Sequence, residues 1–415
     1  MKGEKEMITE QEKQYLRELA KQQRELSEDP VMKERERLWY LHNSLQGERP
    51  MVVMEEETFL DEIMPPLKCT SEDGKWIEKQ ILKTLLPERL FQDDKVVTAD
   101  FKVDVQVELR LFDVPVKKVF ASEGAGFHIE PVLEFLEDDM GILKDSVFIY
   151  DKEETMRKKA VAEETLGDIL QVRLYNSVNH WAFALTEKIV NLMGMENMFC
   201  SMKTEEDEFH ELMDRLVKEM VRFLRWQEEQ GVLFLNNGND YMGSGSYCFT
   251  KELPGKDFAG KVLSRHLWGH LNSQESVGIS PEMYHEFIAP YFSRMAEEFG
   301  LVYYGCCEPV EMYWDQDISK YPHLRKVSIS PWCNEEFMSE RLSGGKVIYS
   351  RKPSPNFIGV QKEFDEDAFR KYIRHTAELT KDCKTEFIFR DIYTLHGNLD
   401  KVKRAVEIVR EETDK

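Results

Sequence analysis

Apolar positions along the chain change their period several times, and each change marks a different kind of element. From residue 9 to 47 they are sparse. Leu16, Leu19 and Leu26 make a thin helical stripe in a run rich in Glu, Lys, Gln and Arg, and Leu38, Leu41 and Leu45 make a second stripe after Pro30. Thr9 and Glu12 have the T-x-x-E spacing of a capping box, which starts the first helix, and Gly47 stops the second. The pattern predicts a polar helical arm over 1–47, packed on the outside of the main body. The alternative is that the arm offers its stripe to a second copy as a homodimer contact.

Beyond the arm, Met51-Val52-Val53 reads as a short buried strand. Residues 96–112 then alternate, with Phe101, Val103, Val105, Val107, Leu109 and Leu111 apolar and Lys102, Asp104, Gln106, Glu108 and Arg110 between them. A period of two over that length predicts a half-exposed strand of an antiparallel pair, with 147–150 as its companion. Together they form a small β insertion, about 96–150, outside any parallel core. From about residue 165 strand-like runs and helical patterns take turns. Strands are predicted at 168–175, 232–235, 301–304, 326–330, 346–350 and 386–392. One helix is predicted to end at Gly194. A strongly amphipathic one runs through Phe209, Leu212, Met213, Leu216, Met220, Phe223 and Leu224 to Gly231, and another starts on Ser280-Pro281 with a kink at Pro290. Repeated strand–helix alternation predicts a parallel α/β architecture.

The charge balance narrows the function classes. With 56 Lys+Arg against 78 Asp+Glu the net charge is −22, which repels phosphate backbones and anionic membrane surfaces. No nucleic-acid or membrane partner is expected. There is no apolar run of about 18 residues, and the start MKGEKEMITEQEKQYL lacks the apolar segment of a signal peptide. Seven cysteines, none in a C-x-x-C pair, fit a reduced, cytoplasmic protein.

In parallel α/β folds ligands bind beyond the carboxyl ends of the strands. The segments there are Asn236-Asn237-Gly238-Asn239-Asp240, Gly305-Cys306-Cys307-Glu308-Pro309, Pro331-Trp332-Cys333, Arg351-Lys352-Pro353 and Leu395-His396-Gly397-Asn398. They gather thiols, a carboxylate, a histidine, an arginine and an indole at one end of the predicted sheet.

The stretch SPEMYHEFIAPYFSRMAEEFGLVYYGCCEP, the strand VSISPW and the final LHGNLDKVKRAVEIVREE resemble the uroporphyrinogen decarboxylase-like superfamily. The resemblance spans about 160–412, and more loosely 35–95. It implies a (β/α)8 TIM barrel over 48–415, carrying the helical N-terminal extension and the β insertion. It also implies one of two activities. The decarboxylase branch has an R-Q-A-G-R stretch near its start, whereas LHNSLQGERPMVVMEEETF has one Arg followed by Glu55, Glu56 and Glu57, which would repel a polycarboxylate. The corrinoid-dependent methyltransferase branch is the closer reading. It implies transfer of a methyl group from a small methylated substrate, such as an aryl methyl ether in anaerobic O-demethylation, to a corrinoid. No D-x-H-x-x-G motif is present to hold a corrinoid, so that group is expected on a partner protein. The alternatives are a small-molecule decarboxylase or lyase, and a non-catalytic ligand-binding barrel.

The same branch often carries zinc on an H-x-C motif and a later Cys. Here the motif's histidine is missing, and the resemblance implies a metal set of Cys306 or Cys307 with Glu308 and His396, three ligands and an open position. Glu308 and His270 are the candidate catalytic acid–base residues. Candidate substrate-binding residues are Asn272 and Glu275, from the polar segment His266–Ser276, with Tyr304, Trp314, Trp332 and Arg351.

Overall fold

The computed structural model describes residues 7–120, 127–256 and 258–413. Helix α1 (Glu10–Ser27) begins on the predicted capping box: the Thr9 hydroxyl accepts the Glu12 N–H at 3.2 Å, and the Glu12 carboxylate accepts the Thr9 N–H at 2.9 Å. The same carboxylate accepts the N–H groups of Thr70 and Ser71, at 2.6 and 3.0 Å, at the start of helix Glu72–Leu90. Leu16, Leu19 and Ala20 share a core with Ile77, Ile81 and Leu85 of that helix. The arm therefore spends its apolar stripe within its own chain. Helix α2 (Pro30–Asn43) buries Trp39 and His42 against the central sheet.

The strands, in chain order, are β1 (Met51–Met54), β2 (Asp100–Asp104), β3 (Val107–Arg110), β4 (Lys117–Phe120), β5 (Phe127–Glu130), β6 (Val147–Tyr150), β7 (Gln171–Tyr175), β8 (Tyr241–Met242), β9 (Ser246–Tyr247), β10 (Trp268–Leu271), β11 (Leu301–Tyr304), β12 (Leu324–Ile329), β13 (Ile348–Arg351) and β14 (Thr385–Phe389). Six of them form one sheet in the order β1-β14-β13-β12-β11-β10, parallel throughout. The last four predicted strands are thus adjacent and parallel, as their connecting helices require.

One expectation needs correction, and another is met in part. First, the alternating run at 96–112 is not one strand of an antiparallel pair. Its first half, β2, pairs in parallel with β7, and only its second half, β3, pairs antiparallel with β6 as foreseen. Alternation reports a sheet face but not the direction of the neighbour. Second, the eight parallel strands do not form one closed ladder among the described residues, because β2 and β7 stand apart from the other six. Side chains occupy both outer edges of the six-stranded sheet. Asp94 accepts the Val52 N–H at 2.8 Å, and Asp93 accepts that of Met54 at 2.8 Å, along β1. Asn236 exchanges two hydrogen bonds with the backbone of Trp268, at 2.9 and 3.0 Å, on β10. The predicted strand 232–235 enters no ladder.

Helices cover the sheet. The amphipathic helix Glu206–Gln230 packs its predicted face into the larger core and ends on Gly231 at φ +68°, a left-handed turn that glycine takes without strain. The helix expected to end at Gly194 begins at Leu185 and continues to Thr204, with a break at that glycine. Ser280 caps helix Pro281–Phe287, and the Pro290 kink separates it from helix Ala289–Ala296. Among the described residues no helix is long and apolar enough to cross a membrane.

Candidate active site

Strands covered on both faces place alternate side chains inside and outside. Tyr303, Lys326, Ser350, Lys352 and Glu386 turn to one face and meet there. Lys326 Nζ lies 3.0 Å from Glu386 Oε2 and donates to Ser246 Oγ at 2.6 Å, and His42 Nε2 lies 3.1 Å from the same carboxylate oxygen. All four residues are buried. Burial alone would raise the Glu386 carboxyl, but Lys326 and His42 beside it hold it well below the usual carboxylate range. Nearer the carboxyl ends of the strands, Lys352 Nζ donates to Tyr303 Oη at 2.5 Å and to Ser350 Oγ at 2.9 Å. It has no carboxylate at ion-pair distance among the described residues, and burial pushes its amine down to about 7.

A polar chain runs along the carboxyl edge of the sheet. Tyr241 donates its phenol O–H to Glu55 Oε1 at 2.6 Å, and Glu55 Oε2 lies 3.3 Å from Arg390 Nε. Arg390 Nη1 is 3.3 Å from Ser244 Oγ and 3.5 Å from Cys306 Sγ. Cys306 Sγ is 3.5 Å from Cys307 Sγ, which faces Asp391 Oδ2 at 3.5 Å. The Cys307 S–H and the Arg390 guanidinium draw the Cys306 thiol below its ordinary range, while the Cys306 sulfur and burial push the Cys307 thiol up.

A cavity of about 700 Å³ opens beside this chain, where β1 and β2 are not paired. Its wall includes Glu55, Tyr175, His180, Trp181, Tyr241 and His270. His270 is clamped, with Nδ1 3.0 Å from the His180 carbonyl and Nε2 3.2 Å from the Gly305 carbonyl. Burial pushes its imidazole down to about 3, so at neutral pH it carries one N–H for two carbonyls. Gly243 lies against it; a Cβ there would sit 2.3 Å from His270 Nδ1, so only glycine fits.

Of the residues singled out from sequence, His270 lines this cavity and Cys306 and Cys307 join the neighbouring polar chain. The others are placed elsewhere. Glu308 is buried, and its carboxylate accepts the N–H groups of Ser273 and Cys306, both at 2.9 Å, pinning two loops together; burial raises its pKa. Asn272 is buried and its Nδ2 has no partner, but it is not part of the cavity wall. Glu275, raised by burial, accepts the Thr186 hydroxyl at 2.7 Å. Tyr304 faces the helices and shares hydrogen bonds of 2.6 Å with Ser273 and Tyr284. Trp314 belongs to the hydrophobic core, and Trp332 is 71% exposed. Arg351 also faces the helices, donating to the Ser330 carbonyl at 2.7 Å and pairing with Glu335, so parity gives the inner position to Lys352 instead.

The proposed metal set is not assembled. Glu308 is committed to backbone N–H groups, and His396 stands in an exposed loop with Nε2 3.2 Å from the Gly359 carbonyl. Arg390 sits at the sulfur of Cys306, where a cation would be repelled. Among the described residues no group of three or more His, Cys, Asp or Glu is disposed to hold a metal ion, so the donor set does not fit zinc.

Sequence reasoning passed over Tyr303, Glu386 and Arg390, and singled out Arg351 rather than its neighbour Lys352. A signal existed: Lys326-x-Ser328, Ser350-x-Lys352 and Glu386-x-x-x-Arg390 put polar residues at even spacing along buried strands or just past them. Glu55 was read only as an obstacle to polyanions. Tyr241 carried no signal of its own.

No family model matches the sequence, and no curated protein matches it. Among solved structures, a methyltransferase from Methanosarcina mazei is similar in fold, with a TM-score of 0.50 and 10% sequence identity over 89% of this chain and 97% of that one. At that identity the likeness concerns the fold.

Proposed function

We propose that the protein is an enzyme that moves a methyl group from a small methylated substrate, such as an aryl methyl ether, to a corrinoid carried by a partner protein. The eight parallel strands are then a (β/α)8 barrel with two seams, at β1/β2 and β7/β10. One observation carries the reading: the Tyr241–Glu55–Arg390 chain reaches the wall of a cavity of about 700 Å³ at the carboxyl edge of the sheet. The fold likeness to a methyltransferase supports it.

Methyl transfer breaks a carbon–heteroatom bond and leaves negative charge on the departing atom. The partner's reduced cobalt would supply the methyl acceptor. This chain must supply a hydrogen-bond donor for the leaving atom and a shielded pocket. Tyr241 can become such a donor by turning its one O–H from Glu55 toward the cavity. Burial raises its phenol well above the ordinary value, so it stays protonated, and Glu55, held by Arg390, keeps that hydroxyl at the cavity wall until substrate arrives. The Trp181 ring, edge-on to His270 at 4.9 Å, closes the wall with aromatic surface. His270 is a positioning residue, because both its ring nitrogens face carbonyls.

The test is a methyl-transfer assay with O-, N- and S-methyl substrates and a reduced corrinoid protein, read by the absorbance of the methylated cobalt. Tyr241→Phe should lower kcat about 100-fold with KM little changed. Absence of methylated cobalt with every substrate, or carbon dioxide release from a carboxylated one, would replace this reading with a lyase.

A further inference from the structure

The adjacent thiols at the carboxyl end of β11 have no role in the proposed methyl transfer, although Arg390 links them to the Tyr241–Glu55 pair. Of seven cysteines, Cys306 and Cys307 are the two whose sulfurs face each other, at 3.5 Å. Neighbouring residues across a trans peptide have Cα atoms about 3.8 Å apart, short of the roughly 4.4–6.8 Å that a relaxed disulfide spans. The pair therefore resists closing on itself and persists as a dithiol. A single atom bonded to both sulfurs leaves them near their present separation and needs no such distortion.

The surroundings select what that atom is. Zinc would want about four donors. Here the nearest other groups are the Arg390 guanidinium, 3.5 Å from Cys306 Sγ, the Ser244 hydroxyl beside it, and Asp391, whose Oδ2 lies 3.5 Å from Cys307 Sγ and 3.6 Å from Arg390 Nε, a set that offers zinc no third soft donor. The guanidinium repels a cation but not a neutral electrophile. It also favours the anionic form of the sulfur that attacks first. Cys306 is buried, whereas Cys307 is partly exposed, so entry is from the solvent side of Cys307.

We propose that Cys306 and Cys307 form a two-thiol site for a neutral, trivalent thiophile of the organoarsenic(III) class. The hydrated arsenical carries two hydroxyl groups on arsenic. Cys306 sulfur displaces one and Cys307 sulfur the other. Two As–S bonds form, two As–O bonds break, and the two thiol protons leave with the hydroxyls as two waters. No oxidation state changes.

Phenylarsine oxide is the probe, titrated into the purified, reduced full-length protein. One equivalent should bind, withstand excess monothiol and be removed by a small dithiol. Cys306→Ser and Cys307→Ser should each weaken binding at least about 100-fold, because the second bond is intramolecular. Cys200→Ser, at the exposed cysteine, should change nothing. A measurement on the unsubstituted protein guards against variants that fail to fold: bound arsenical should protect Cys306 and Cys307 from alkylation, mapped by peptide mass spectrometry. Retention of dithiol-reversible binding by either serine variant, or alkylation of both cysteines with the arsenical bound, overturns the proposal.

Discussion

At the scale of single residues, the inner face of the sheet is governed by parity and by what each buried polar atom can reach. Lys352 is the sharpest case, an amine with two hydroxyl partners and no carboxylate at ion-pair distance among the described residues. Its proton is held with a pKa of about 7 in the folded protein, against about 10.4 in an unfolded chain. Between those values the unfolded chain carries the extra proton, so folding stability from this group rises with pH. Lys352→Met removes the effect and leaves Tyr303 and Ser350 bonded to each other at 2.7 Å. Urea unfolding should show the variant losing about 2 kcal/mol relative to wild type between pH 7 and pH 9. A difference independent of pH would mean that the amine stays charged when buried.

At the scale of elements, the six-stranded sheet stops where side chains take over the ladder. Asp94 does this at β1. It accepts the Val52 N–H and pairs with Arg49 at 2.7 Å and Arg410 at 3.0 Å, tying the strand edge to the C-terminal helix. Burial would raise its carboxyl, but the Arg49 guanidinium keeps it below the ordinary range. Asp94→Ala should cost about 3–5 kcal/mol in urea unfolding, because it strands a buried N–H and takes a carboxylate from beside two guanidinium groups. A loss under about 1 kcal/mol would show that water can replace the carboxylate at this edge.

At the scale of the molecule, the Lys326–Glu386 pair joins β12 to β14 across β13, and His42 of α2 closes on it from the N-terminal arm. The arm, the sheet and the β8–β9 hairpin, through Ser246, thus share one buried polar node. Lys326→Met alone leaves a buried carboxylate without its main partner and should cost about 3–5 kcal/mol. Lys326→Met with Glu386→Leu should cost less than the sum of the two single changes, with a coupling of at least about 1 kcal/mol by thermal or urea unfolding. Additive losses would mean that Lys326 and Glu386 do not couple across β13.

What the sequence determined by itself is local. Thr9 and Glu12 set the first helix start, Ser280-Pro281 another, and Gly231 a helix end, because caps depend on a few neighbouring residues. Strand–helix alternation after residue 165 determined that the last four strands run parallel, since each crossover helix returns the chain to the same end of the sheet. The tertiary structure alone decided the rest. The run from Phe101 to Leu109 has one unbroken alternation, yet its two halves have different partners in opposite directions, which no local pattern encodes. It also decided that Glu308 would serve backbone N–H groups and that His396 would lie apart, while Glu55, Tyr241 and Arg390, separated by up to 335 residues, would form one chain. A site is a set of distances, and the distances between residues remote in sequence are fixed only when the sheet, its edges and its covering helices have packed.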